Sequence, residues 1–114
     1  MDLTTESGDV IDPITPDGLR QALGDDSFGK FAILSRSEDE FMQAGNNWNG
    51  SEECARYLKE TGSDPWILEF RENRKNKRAR GDRTLGEVIE VMIEYLEGGE
   101  EWRTRYWWVE QKLR

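Results

Sequence analysis

The chain contains no histidine and a single cysteine, Cys54, among its 114 residues. Without histidine, the usual general base, the commonest zinc ligand and every Ser-His or Cys-His nucleophile pair are excluded. One cysteine excludes an internal disulfide, a thiolate metal site and a redox pair within the chain. Gly45, Gly50, Gly62 and the Gly98-Gly99 pair do not fall into a phosphate-binding or dinucleotide pattern. No apolar run is long enough to span a bilayer, and the start lacks the basic and apolar regions of a signal peptide. These absences give the expectations of a cytoplasmic protein that is not an enzyme, with no cofactor, no metal site and no membrane partner. A hydrolase acting through paired carboxylates is the enzyme class left open, and no pair of residues marks it out.

What the chain has is acidity and aromatic rings. Its net charge is −8, which argues against nucleic acid and anionic membranes and leaves a basic partner or plain solubility. Aromatic residues make up 11% of the sequence, five of them Trp, and this separates it from disordered chains, which are aromatic-poor. The length is that of one domain.

Residues 1–11 are polar and acidic without periodicity and read as a flexible acidic N-terminal arm, leaving 12–114 as a single domain. Thr15-Pro16-Asp17 starts a helix, with a capping hydroxyl, proline at the first helical position and an acid in the first turn. Leu19, Ala22 and Leu23 give that helix an apolar face, and Gly24 ends it. Residues 28–34 and 41–44, around the polar turn 37–40, predict an antiparallel hairpin. A loop follows from Gly45 to Gly50, and Ser51 caps a short helix or begins an irregular crossing. From Trp66 to Arg71 the residues alternate, with Trp66, Leu68 and Phe70 inward. The basic stretch after it predicts a turn over 72–76 and a strand over 77–80. Two uses fit that strand: a charged sheet edge that discourages association, or a local contact for an anion or phosphate.

Thr84-Leu85-Gly86-Glu87 is a capping box, and Leu85, Val88, Ile89, Met92, Tyr95 and Leu96 follow at helical spacing. Tyr106 to Val109 suits a closing strand. Adjacent strand residues face opposite ways, so Trp107 and Trp108 cannot share a face. One of them therefore either lies open on the sheet or is covered by loops or the arm.

The wording Thr84-Leu85-Gly86-Glu87-Val88-Ile89-Glu90, then Tyr95-Leu96, then Trp102-Arg103-Thr104-Arg105-Tyr106-Trp107-Trp108 resembles the Imm1-type immunity proteins of polymorphic toxin systems. So does the order of helix, hairpin, Trp-Ile-Leu-Glu-Phe strand, charged strand, capped helix and Trp-rich final strand. The resemblance implies an α+β protein that neutralises a cognate toxin by binding it, and it implies no catalytic residue.

The expected fold is therefore α+β: an antiparallel sheet of four to five strands, one long helix over 84–97 packed on one face, and a short N-terminal helix beside it. The expected function is a non-catalytic protein-binding module, immunity-like, whose partner is a protein such as a basic toxin. Trp48, Trp107 and Trp108 are the candidate contacts, and Asp25, Asp26, Glu38, Asp39 and Glu40 the steering charge. The alternative is a small-molecule-binding domain with an aromatic pocket between sheet and helix. The sequence does not choose between monomer and dimer.

Overall fold

The computed structural model describes residues 1–8, 10–24 and 28–111. Seven strands form one fully antiparallel sheet, β1 (Asp2–Thr5), β2 (Val10–Ile11), β3 (Phe31–Ser35), β4 (Phe41–Asn46), β5 (Trp66–Glu72), β6 (Lys75–Ala79) and β7 (Trp108–Gln111). Their spatial order is β2-β1-β3-β4-β5-β6-β7. Four helices accompany them among the described residues, α1 (Pro16–Leu23), α2 (Glu52–Thr61), α3 (Leu85–Leu96) and the single turn α4 (Trp102–Arg105).

This overturns the expected sheet of four to five strands with one long helix. The added strands come from the expected N-terminal arm: β1 pairs with β3, placing Leu3 opposite Leu34 and Thr5 opposite Ala32. Leu3 is wholly buried, and this burial holds the segment in place. β2 returns beside β1 through the pair Thr4 and Val10. The strand expected at 77–80 is β6, and it is internal, between β5 and β7. Its lysines and arginines therefore do not guard an edge. The tight turn before it, Asn73-Arg74, has φ of 53° and 64° at its two central residues, the geometry that joins right-twisted strands.

One face of the sheet is closed and the other open. Every buried strand residue, from Leu3 through Leu34, Met42, Leu68 and Phe70 to Ala79, shares one parity of the ladders. The opposite parity carries Ile33, Gln43, Glu69 and Arg78 in one row across the sheet, none of them buried. α1 and α3 pack with the closed face into a single core.

Local chemistry explains the helices. Thr15 Oγ1 accepts from Gly18 N at 3.0 Å, with Pro16 opening α1. Ser51 caps α2 in the same manner, and Gly62 ends it in the left-handed conformation at φ 76°. In α3 both halves of the capping box form, Thr84 Oγ1 accepting from Glu87 N and Glu87 Oε1 from Thr84 N. Its buried residues are Val88, Val91, Met92 and Tyr95, and their burial contributes roughly 6–12 kcal/mol before entropy costs.

α4 has no such local origin. Its initial amide, Trp102 N, donates to Glu94 Oε2 of α3 at 3.1 Å. Trp102, fully buried, meets Phe70, Tyr95 and Trp108 edge to face, with ring centroids 4.8, 5.7 and 5.6 Å away. A Cβ at Gly99 would stand 2.6 Å from Glu94 Cγ, so a larger residue there would displace the side chain that holds Trp102 N.

Candidate functional site: the tryptophan end of the sheet

The ladder registers decide which candidate residues meet. Asn46 lies opposite Trp66, and Ala79 lies opposite Trp108. The end of β4, the start of β5, the end of β6 and the start of β7 therefore share one end of the sheet. Trp48 follows β4 and Trp107 precedes β7, so both stand at that end, with the 80–83 connection between them.

That connection is fixed on both sides. Arg83 and Trp66 exchange backbone hydrogen bonds at 2.8 and 2.9 Å, and Arg80 N donates to Trp107 O at 2.7 Å. Toward Trp48, Asn47 Nδ2 donates to Asp82 Oδ1 at 3.0 Å. The asparagines of the 46–50 loop supply its other ties: Trp48 N donates to Asn46 Oδ1, while Asn49 Oδ1 accepts from Ser51 N and Cys54 Sγ. Buried Cys54 thus ties α2 to Asn47 and Asn49, the residues on either side of Trp48.

The two rings differ in exposure from Trp108. Trp107 is 71% exposed and Trp48 41%, the former the most exposed large apolar side chain among the described residues. Trp107 precedes β7 rather than alternating within it, as expected of a strand residue, and the Arg80 guanidinium lies 5.7 Å from its ring. Trp108 turns inward: its ring meets Phe70 at 4.9 Å, and its Nε1 donates to Trp102 O at 3.2 Å. It anchors the last strand rather than presenting a free face.

Between the tryptophans, Arg83 stacks on Tyr106 at 4.7 Å and pairs with Glu87 at 3.6 Å, while the Tyr106 hydroxyl donates to Glu87 Oε2 at 3.4 Å. Burial, and then the neighbouring Glu87 carboxylate, push the phenols of Tyr106 and Tyr57 above their usual value. Both remain neutral donors through the physiological range. The rim thus combines Trp, Tyr and Arg, the residue types that dominate binding hot spots.

The acidic candidates are elsewhere. Glu38, Asp39 and Glu40 occupy the turn between β3 and β4, which the hairpin places at the opposite end of the sheet from Trp48. Arg36 marks that end, its Nη2 donating to Tyr95 O at 2.7 Å beside the C-terminus of α3. Asp25 and Asp26 lie outside the described residues. Glu38, Asp39 and Glu40, named as steering charge, thus lie at the far end of the sheet from the tryptophans named as contacts.

Arg80 and Arg83 belong to the basic stretch whose second expected use was an anion contact; their place beside the tryptophans, and that of Tyr106, was not foreseen. The signal was available in part, since the capping box at Thr84 places the preceding residues at the start of α3. Among the described residues, no group of three or more His, Cys, Asp or Glu side chains is placed to hold a metal ion. No described helix is long and apolar enough to cross a membrane. No family model, curated protein or solved structure matches the chain.

Proposed function

We propose that the protein is a non-catalytic binding module that docks a protein partner on the end of its sheet bearing Trp48 and Trp107. The observation that carries this reading is Trp107, 71% exposed on a hydrogen-bonded backbone, with a second exposed tryptophan across the 80–83 connection. A large ring held open in water has no folding role to justify it, and buried against a partner it contributes roughly 2 kcal/mol or more. The specific form given by the resemblance is an immunity-like protein that neutralises a cognate toxin. In that form the overall charge of −8 speeds encounter with a basic toxin, and the tryptophan end supplies the hold. A cytoplasmic setting belongs to the same reading, in keeping with a lone reduced thiol.

The test is capture from lysate of the native host by tagged wild type, Trp107→Ala and Trp48→Ala, each confirmed folded by circular dichroism. One stoichiometric protein held by wild type and lost from both variants supports the reading. Equal capture by all three sinks it.

A small-molecule role is the second reading, favoured by one observation: a groove of about 590 Å³ opens beside Trp107, between α4 and strands β5 to β7.

A further inference from the structure

The groove beside Trp107 gathers basic side chains in a molecule whose net charge is negative. Lys77, Arg103 and Arg105 line it, and no carboxylate among the described residues does, in a chain with 24 acidic and 16 basic residues. Its aromatic lining is Phe70, Tyr106, Trp107 and Trp108, and of these Trp107 is the exposed ring. We propose that this groove binds a small planar organic anion, its ring lying against Trp107 and its charged head at Lys77. This goes beyond the docking of a protein on the tryptophan end and stands whether or not that docking occurs.

The cations are not equivalent. Arg103 is committed to structure, its Nη2 bonded to Glu72 Oε2 at 2.6 Å and its Nε to Glu100, with its guanidinium 4.5 Å over the Trp102 ring. Arg105 pairs with Glu94 at 3.4 Å. Lys77 has no ion-pair partner among the described residues. Glu110, which faces it across the β6–β7 ladder, reaches Lys75 instead at 4.0 Å. The Lys77 ammonium lies 6.0 Å from the Phe70 ring centroid, at the outer range of a cation–π contact. It is the cation left available for an incoming anion.

Position adds to the chemistry. Lys77 lies on the closed-face parity of an internal strand, opposite Phe70 on β5. A charged side chain there stands on the face that carries Phe70 instead of on the open face with Arg78. Lys77 is half-buried at this point, so its attraction to an anion is screened less than that of a fully exposed lysine. The exposed Trp107 face supplies stacking to a flat body. A carboxylate and a phosphate monoester share this chemistry, and the assay separates them.

Isothermal titration calorimetry with naphthoate and adenosine monophosphate, each against its uncharged counterpart naphthamide or adenosine, and with inorganic phosphate alone, tests the proposal. Saturable binding is expected for one of the two aromatic anions, with the uncharged counterpart and bare phosphate each about tenfold weaker or worse. Lys77→Met and Trp107→Ala are each expected to lower that affinity about tenfold, and Lys77→Arg to retain it. Trp48→Ala leaves it unchanged, which separates this groove from the docking rim. Thermal unfolding of each variant within about 2–4 °C of wild type confirms that the fold is intact. Absence of saturable binding by both anions overturns the proposal, as does equal binding of a neutral counterpart or wild-type affinity in folded Lys77→Met.

Discussion

Trp107 and Trp102 lie five positions apart and do opposite work. Trp102 is buried on all sides by Phe70, Tyr95 and Trp108, and its Nε1 donates to Gly99 O at 2.9 Å. Trp102→Ala is expected to cost about 3–5 kcal/mol in urea unfolding, whereas Trp107→Ala changes stability by less than about 0.5 kcal/mol. Near-equal losses at the two positions would contradict their assignment as core ring and contact ring. The tyrosines give a pH signature. Burial is the leading cause that raises Tyr57, Tyr95 and Tyr106 above the ordinary 10.0, so the folded state holds their protons longer than the unfolded chain does. Their contribution to stability is complete below pH 10.0 and is lost as pH rises through the raised folded values. Denaturant midpoints measured across that range should fall, and Tyr→Phe at 95 and 106 should flatten the fall; an unchanged slope would remove burial as the cause.

At the scale of elements, the capped helices were legible because their signals are local. Thr15-Pro16 and the Thr84–Glu87 capping box each lie within one turn, and the structure places both where the sequence did. Thr84→Ala is expected to destabilise by about 1 kcal/mol, measured by thermal unfolding. The first strand was not legible because its partner is distant. Leu3 is the only large apolar residue among Asp2–Thr5, and its pairing with Leu34 cannot be read from neighbours in the chain. Leu3→Ala should therefore cost about 2–5 kcal/mol, and amides in β1 should resist exchange; fast exchange there would restore the arm. α4 escaped for the same reason, since a carboxylate from α3 caps its initial amide. Without α4, nothing in the sequence could place Trp108 against Trp102, and so Trp107 and Trp108 were indistinguishable as contacts.

At the scale of the molecule, the hairpin geometry separates charge from aromatic surface. The Glu38, Asp39 and Glu40 turn lies at one end of the sheet and Trp48 and Trp107 at the other. Composition revealed how much acid the chain carries, not where it lies, because that follows from ladder register. If the acidic turn acts only at long range, replacing its three acids with Gln and Asn slows association with a basic partner and leaves dissociation unchanged. Stopped-flow and dissociation traces read the two rates separately, and faster dissociation would place the turn in the contact. The central claim concerns the other end of the sheet. Its most direct measurement is the Kd of the captured partner for wild type against folded Trp107→Ala. A loss of about 2 kcal/mol or more, roughly thirtyfold in Kd, is predicted for a ring that anchors the partner. A Kd within about twofold of wild type, less than about 0.5 kcal/mol, would contradict it and place the contact elsewhere on the molecule.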